Sequence, residues 1–283
     1  MLTNTELNRL KSSPLEVVEL RCGTHQAVLT LQGAHLVSYQ HEGVEQLWLS
    51  PKSQFESGKP IRGGVPICWP WFAQHPTDPS LPMHGFARTS LWQLTERQEH
   101  SDRSTLALRL TSDQAPYLLQ ADLQIELTQQ HLSLNLTTTN LGGEAYSLTE
   151  ALHTYLPVSD LRSASLQGLQ GTRYADKLQN YAQATEAREA VFLTEPTDRV
   201  YFDTSDSLTL LDKDWNRRTI ISKRGSGATV VWNAGETIAA GMQDLGAENY
   251  RHYICVEAAN ALETAVILKP GTSHTLNQTI CPR

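Results

Sequence analysis

The stretch ADLQIELTQQHLSLNLTTTN, residues 121–140, decides the fold class. Apolar residues occupy every second position in two runs that flank the short segment TQQH: Leu123, Ile125 and Leu127, then Leu132, Leu134 and Leu136. A period of two is typical of strands with one face buried and one face in water. The stretch therefore predicts an antiparallel hairpin on a hydrophobic core.

The same alternation recurs along the whole chain. It is seen in LEVVEL (15–20), QAVLTLQ (26–32), STLALRLT (104–111), SLTLL (207–211), RTIIS (218–222), ATVVW (228–232) and TAVILKPGTSHTLNQTI (264–280). Helical patterns are few: a short N-terminal piece, DKLQNYAQATEARE (176–189) and ETIAAGMQDL (236–245). Many short strands separated by turns favour a sandwich over βαβ units. We predict one all-β domain over residues 1–283, a large antiparallel β-sandwich with a few short helices.

Composition and charge exclude several classes of protein. The 283 residues carry a formal net charge of −7 with scattered basic residues, so we expect no nucleic-acid partner. No apolar run approaches the roughly 18 residues that cross a bilayer, and the first residues lack the pattern of a secretory signal, so we expect no membrane association. The four cysteines are widely spaced. This usage predicts a reduced, cytoplasmic protein.

One segment cannot be a regular helix or a central strand. RGGVPICWPWFAQHPTDPSLPMHGFAR, residues 62–88, contains five prolines, three glycines and two tryptophans. Proline lacks the backbone N–H and clashes with a preceding helical turn, so the segment predicts a long, stiff loop. Adjacent glycines let backbone N–H groups approach a ligand.

The ends and the aromatic residues of this loop are candidates for binding. Arg62 and Arg88 bracket it and could clamp a phosphate through charge-assisted hydrogen bonds; alternatively, each could pair with a surface carboxylate. Trp71 and Phe72 offer flat faces of the kind that stack on sugar rings, although large aromatic residues are more often packing residues.

Four titratable residues complete the candidate site. His84 lies in the loop, and His153 lies in YSLTEALHTYLPVS, on the more polar face of a predicted strand; either could be a hydrogen-bonded structural histidine. Glu257 lies in the apolar strand YICVEAA, where an unpaired carboxylate is uncommon, so it is a candidate for a catalytic group. Asp198, in EPTDRVYF, could cap a turn or bind sugar hydroxyls. The spacings match no metal-ligand motif.

Taken together, RGGVPICWPWF, HGFAR, LHTYL, TDRVY and VEAA resemble the hexose-6-phosphate mutarotases (glucose-6-phosphate 1-epimerases) of the galactose-mutarotase-like superfamily. The resemblance covers nearly the whole chain and implies a large antiparallel β-sandwich. It implies that His153 is a general acid and Glu257 a general base. It further implies that His84 and Asp198 lie near the sugar, that Arg62 and Arg88 lie at the phosphate end, and that no metal or organic cofactor is needed.

The implied activity is an isomerase reaction that interconverts the α and β anomers of a hexose 6-phosphate, with glucose 6-phosphate expected first. Ring opening needs a base at the C1 hydroxyl and an acid at the ring oxygen, and histidine and glutamate suit these roles. Two alternatives stay open: a mutarotase for unphosphorylated aldoses, and a non-catalytic regulator that binds a sugar phosphate on the same fold. We expect a monomer whose partner is a small sugar phosphate.

Overall fold

The structure, a computed structural model, describes residues 4–113, 116–194, 196–204 and 207–283. Within these ranges the chain consists mainly of strands joined by turns and loops. In chain order the strands are β1 (Val17–Cys22), β2 (His25–Thr30), β3 (His35–His41), β4 (Val44–Glu45), β5 (Ile67–Cys68), β6 (Gln93–Glu99), β7 (Arg103–Ser112), β8 (Leu119–Thr128), β9 (Leu132–Asn140), β10 (Tyr146–Leu148), β11 (Glu150–Leu152), β12 (Tyr155–Pro157), β13 (Ala164–Gln167), β14 (Arg173–Asp176), β15 (Ala182–Thr185), β16 (Ala190–Val191), β17 (Thr197–Phe202), β18 (Leu208–Asp212), β19 (Arg217–Arg224), β20 (Ala228–Asn233), β21 (Tyr253–Asn260), β22 (Val266–Leu268) and β23 (Ser273–Pro282).

These strands form antiparallel sheets, which confirms the predicted all-β class. The largest sheet has nine strands, in the order β16-β13-β18-β19-β23-β9-β8-β7-β6. The next has eight, in the order β15-β14-β17-β20-β21-β11-β5, with β12 also paired to β21. Strands β1 to β4 form a third sheet, and β10 pairs with β22.

The hairpin predicted from residues 121–140 is present as β8 and β9. Leu123 lies opposite Leu136, and Ile125 lies opposite Leu134, so the alternating apolar residues meet across the two strands. All four side chains are buried in the main core. Because their polar neighbours face the other way, the period of two in the sequence corresponds directly to one buried face.

The main core is shared by the two large sheets. It joins the inward side chains of the nine-stranded sheet to Ile254 and Val256 of β21, in the eight-stranded sheet. Two sheets that bury apolar faces against each other form a sandwich. This common core supports the prediction of one domain over residues 1–283, which stays a prediction.

Helices are short, as predicted, but one predicted helix is wrong. The α-helices are α1 (Asn4–Lys11) and α2 (Gly235–Gly241), and the 3-10 helices are Ala87–Thr89, Lys177–Gln179, Asn249–His252 and Leu262–Thr264. Within residues 176–189, Lys177–Gln179 form a 3-10 turn and Ala182–Thr185 form β15, which pairs with β14 in a hairpin. Asp176 caps that turn, and Asn180 and Tyr181 adopt left-handed backbone angles that reverse the chain. In the described ranges, no helix combines the length and apolarity that a bilayer crossing requires.

Strand β21 places the candidate base. All eight of its residues are buried, because β20 covers one edge and β11 and β12 cover the other. Ile254 and Val256 point into the main core, whereas Cys255 and Ala259 belong to smaller clusters on the opposite face of the sheet. Since side chains alternate along a strand, Glu257 lies on that second face, away from the main core.

Candidate active site

The second face of the eight-stranded sheet forms the floor of a cavity. Glu257 on β21 lies opposite Val230 on β20, and Trp232 on β20 lies opposite Asp198 on β17. The cross-strand register therefore brings a glutamate, a tryptophan and an aspartate from distant parts of the chain to one surface.

His153 reaches the same surface from an interruption between strands. It follows β11 and precedes β12, both of which pair with β21. Its backbone N–H donates to the carbonyl of Pro66 across 3.0 Å, which ties it to the loop of residues 62–88. The His153 ring stacks on Tyr155, with ring centroids 5.0 Å apart, and its edge faces Trp232. These contacts hold the imidazole over the floor of the cavity.

His153 and Glu257 form a close, buried pair. Nε2 of His153 lies 3.4 Å from Oε1 of Glu257, and the Glu257 side chain is 1% exposed. Three buried atoms of the pair have no hydrogen-bond partner among the described residues: Oε1 and Oε2 of Glu257 and Nδ1 of His153. Buried polar atoms are almost always hydrogen-bonded in folded proteins, so this concentration of unpaired atoms is typical of a ligand-binding site.

Burial sets the protonation of the pair. It raises the pKa of Glu257 well above its ordinary value, and the nearby carboxylate of Asp198 raises it further. Burial also lowers the pKa of His153 to about 3, with the positive charge of Arg62 contributing. Both shifts disfavour charge, so burial favours the state in which Glu257 holds the proton of the pair and the imidazole is neutral.

The stiff loop supplies a second histidine. The backbone N–H of Ala73 donates to Nδ1 of His84 across 3.1 Å, so in the neutral ring Nε2 carries the hydrogen. Burial lowers the pKa of His84 well below its ordinary value, and a positive charge on His153 lowers it further. The adjacent Gly85 has a φ of +72°, and a Cβ there would lie 2.0 Å from the carbonyl oxygen of Trp69. Only glycine allows this close approach of the loop to itself.

The two arginines at the ends of the loop have different partners. Arg62 forms an ion pair with Asp244 at 3.0 Å and donates to the hydroxyl of Tyr155 at 3.1 Å. Arg88 donates to the carbonyl of Met83 at 2.7 Å, and no carboxylate of a described residue lies within salt-bridge distance of it. Burial lowers the pKa of Arg88, in line with a guanidinium that lacks a counter-ion. The surface-pair alternative thus applies to Arg62 and not to Arg88.

Asp198 is paired with a lysine that the sequence analysis did not select. Nζ of Lys177 lies 2.8 Å from Oδ2 of Asp198 and 5.5 Å from the centroid of the Phe72 ring. Burial raises the pKa of Asp198, and the charge of Lys177 opposes that rise. The other carboxylate oxygen, Oδ1, is buried without a hydrogen-bond partner among the described residues.

Together these residues enclose a cavity of about 290 Å³, close to the lower limit for small-molecule sites. Seven of the eight predicted site residues line it: Arg62, Phe72, His84, Arg88, His153, Asp198 and Glu257. Tyr155, Lys177, Trp232, Met83 and Met242 line it as well.

Trp71 is the exception, because it does not line this cavity. Its side chain is buried in the loop itself, where Nε1 donates to the carbonyl of Pro82 at 3.0 Å and the ring packs on His75 and Tyr117. Phe72, the next residue, lines the cavity. The tryptophan that lines the cavity is Trp232. The alternation in ATVVW already places Trp232 on the same strand face as Val230, which also lines the cavity.

The paired glycines also have a different role from the one predicted. A Cβ at Gly63 would lie 2.5 Å from the carbonyl oxygen of Trp48, and a Cβ at Gly64 would lie 2.2 Å from that of Leu36. The glycines therefore allow the loop to pack against neighbouring backbone, the Gly64 N–H donates to the carbonyl of Trp48 across 2.7 Å, and neither glycine lines the cavity. In the described ranges, no three His, Cys, Asp or Glu side chains are grouped as metal ligands.

The comparisons with known proteins identify the family of this chain. The sequence profile of the aldose 1-epimerase family matches residues 16–281. The chain belongs to the aldose 1-epimerase family. It is therefore an isomerase of the mutarotase type.

Relatives of this aldose 1-epimerase cover nearly its whole length. A protein of Escherichia coli (strain K12), provisionally named glucose-6-phosphate 1-epimerase, is 33% identical over 95% of this chain and 91% of its own. One from Cenchrus ciliaris with the same provisional name is 32% identical over 92% of this chain and 82% of its own. A crystal structure from Salmonella typhimurium, provisionally titled a mutarotase, matches with a TM-score of 0.87 at 30% identity, over 95% of this chain and 90% of the other.

Proposed function

We propose that this aldose 1-epimerase interconverts the α and β anomers of a hexose 6-phosphate, with glucose 6-phosphate as its principal substrate. The observation that carries the proposal is the combination, in one cavity, of the His153–Glu257 pair with the cation Arg88, which has no carboxylate partner among the described residues. The provisional names of the relatives point to the same substrate.

In the proposed reaction, the carboxylate of Glu257 takes the proton of the C1 hydroxyl. The C1–O5 bond breaks, C1 becomes an aldehyde carbon, and the imidazolium of His153 gives its proton to O5. Rotation about C1–C2 then presents the other face of the aldehyde. For closure, the protonated Glu257 returns a proton to the carbonyl oxygen while neutral His153 removes one from the O5 hydroxyl, so that atoms and charges balance.

The single proton shared by the pair suits this cycle. His153 protonated with Glu257 ionised, and His153 neutral with Glu257 protonated, have the same total charge, but burial disfavours the separated charges of the first state. Ring opening converts the first state into the second, and closure reverses it. The pKa shifts favour the neutral state, which is the one that accompanies the open aldehyde. General acid–base steps of roughly 10²–10⁴-fold each account for useful acceleration of a reaction that already proceeds in water.

The phosphate is assigned to the end of the cavity that contains Arg88 and Arg62. The net charge of −7 repels an anion, so local positive charge is required there. Arg62 is already neutralised by Asp244, whereas Arg88 can direct its remaining N–H groups at a phosphate. All of these groups come from one copy of the chain, in line with an active monomer.

The test is anomer exchange of the purified protein, measured by NMR magnetisation transfer with glucose 6-phosphate and with glucose. We expect exchange with glucose 6-phosphate at a much higher kcat/KM. Equal or faster exchange with glucose would support an aldose mutarotase instead. Saturable binding of glucose 6-phosphate without accelerated exchange would support a non-catalytic regulator.

A further inference from the structure

The cavity contains an ion pair that neither proton transfer nor phosphate binding uses. Lys177 and Asp198 both line the cavity, and their charged atoms lie 2.8 Å apart. Lys177 comes from the 3-10 turn after β14, and Asp198 comes from β17. The two side chains are only 20% and 16% exposed, so the pair is partly withdrawn from water.

Each partner retains hydrogen-bonding capacity toward the cavity. Oδ1 of Asp198 is buried and accepts no hydrogen bond from the described residues. An ammonium group has three N–H donors, and one of them suffices for Asp198. The pair therefore offers a donor and an acceptor side by side, which complements two neighbouring hydroxyl groups, one accepting and one donating.

The lysine is restrained and already charge-paired. Its ammonium lies 5.5 Å from the centroid of the Phe72 ring, and Phe72 is held by a hydrogen bond of 2.9 Å from its backbone N–H to the hydroxyl of Thr149. Because Asp198 neutralises Lys177, this cation attracts a phosphate less than Arg88 does. The hydroxyl groups of the sugar are the better match.

The order of charges along the cavity indicates which hydroxyl groups these are; this step rests on the proposed function. In the eight-stranded sheet β17, β20, β21 and β11 follow in that order, so Asp198 on β17, Glu257 on β21 and His153, which follows β11, are arranged in that order. Arg62 lies beyond His153, because it donates to the hydroxyl of Tyr155, whose ring stacks on His153. The order is thus the arginines, His153, Glu257 and then Asp198 with Lys177. The pyranose runs in the same order from C6 with its phosphate to O5, to C1 and then to C2 and C3.

We propose that Lys177 is a specificity-determining residue, which donates to a hydroxyl at the C2–C3 edge of the hexose and orients Asp198 to accept from the neighbouring one. The substrate class is then narrowed to hexose 6-phosphates that carry free hydroxyl groups on this edge. The 2-hydroxyl, which adjoins the reacting carbon, contributes most.

The experiment compares Lys177→Met with the wild type on glucose 6-phosphate, 2-deoxyglucose 6-phosphate and 4-deoxyglucose 6-phosphate. Methionine keeps much of the apolar stem and removes the donors, and Lys213→Met, at an exposed lysine outside the cavity, is the matched control. We expect the variant to lose roughly tenfold to a hundredfold in kcat/KM on glucose 6-phosphate. Its loss of kcat/KM should be much smaller on the 2-deoxy analogue. On the 4-deoxy analogue the loss of kcat/KM should equal that on glucose 6-phosphate. Dividing each variant value by the wild-type value on the same sugar cancels differences in intrinsic reactivity.

Three results separate the possible outcomes. Equal losses on glucose 6-phosphate and its 2-deoxy analogue would overturn the assignment. So would an inhibition constant for inorganic phosphate that rises in Lys177→Met as much as in Arg88→Ala, because Lys177 would then bind the phosphate. A wild type that exchanges no hexose 6-phosphate refutes the proposed function itself, which is a different result. Lys177→Gln keeps an N–H donor group and should recover part of the discrimination, so it provides a second measurement if the methionine variant does not fold.

Discussion

Glu150 accepts a hydrogen bond from Nδ2 of Asn260 across 3.1 Å, at the position where β11 and β21 pair. Glu150 precedes His153 by three residues, and Asn260 follows Glu257 by three, so this contact fixes the register of the two segments that carry the candidate acid and base. The Glu150 side chain is completely buried, and Nε2 of His274 lies 3.5 Å from its Oε1. Burial raises the pKa of Glu150 to about 8.

Glu150→Gln should change how stability depends on pH. In the native protein Glu150 keeps its proton up to about pH 8, whereas in the unfolded chain it loses it near 4.5. The unfolded state therefore binds fewer protons between these values, and the wild type loses stability as pH rises through them, by about 1.4 kcal/mol per unit at most. The glutamine variant lacks this loss. In urea unfolding at pH 5, 6.5 and 8, the free energy of unfolding of the variant should rise with pH relative to that of the wild type. Parallel pH profiles of the two proteins would contradict a buried, neutral carboxyl at position 150. Glu144→Gln, at an exposed glutamate, is the control.

His153→Ala and Glu257→Gln should each abolish most anomer exchange while glucose 6-phosphate still binds. In the proposed reaction both groups are needed for the same ring-opening step, so the double variant should be little slower than either single one. Exchange is measured by NMR magnetisation transfer and binding by calorimetry, with His100→Ala, at an exposed histidine, as control. Near wild-type exchange in either single variant would show that its residue is not part of the proton-transfer pair.

The imidazole of His153 should stay neutral far below the ordinary range. Its pKa is lowered to about 3, mainly by burial and further by the charge of Arg62. Proton NMR of the ring, assigned by loss of the signal in His153→Ala, should show no titration between pH 8 and pH 5. Because burial favours the neutral form of Glu257 as well, Glu257→Gln should leave this behaviour nearly unchanged. A midpoint near 6.5 would mean that the pair is more hydrated than its burial indicates.

Arg88→Ala should weaken the use of glucose 6-phosphate far more than that of glucose. A charged hydrogen bond contributes about 1.5–3 kcal/mol, so its loss corresponds to roughly tenfold to a hundredfold. The effect should appear mainly in KM if the phosphate is held equally in the ground and transition states. Arg97→Ala, at an arginine paired with Glu99 on β6, is the matched control. If Arg88→Ala weakens both sugars alike, Arg88 shapes the loop through its bond to Met83 and does not select the phosphate.

Local patterns were enough to predict the strands and to select most of the residues that prove to line the cavity. The period of two in residues 121–140 predicted β8 and β9, because a half-buried strand must alternate whatever its partners are. The carboxylate in the apolar run YICVEAA was already unusual, and β21 proves to be buried on both faces around Glu257. Residues 176–189 were predicted helical because a polar stretch with a few spaced apolar residues fits a helix and a hairpin about equally well.

The partners of these residues depend on contacts between distant parts of the chain, and no local pattern encodes them. Arg62 and Arg88 are equivalent ends of one loop in the sequence, but only Arg62 is met by Asp244, 182 residues further on. Trp71 and Phe72 are neighbours with similar side chains, and the path of the loop directs only Phe72 into the cavity. Composition and periodicity determine which segments become strands, since burying one face of a strand is a local requirement. The register between strands determines which polar side chains become neighbours in a buried site, and that register is set by the packing of the whole fold.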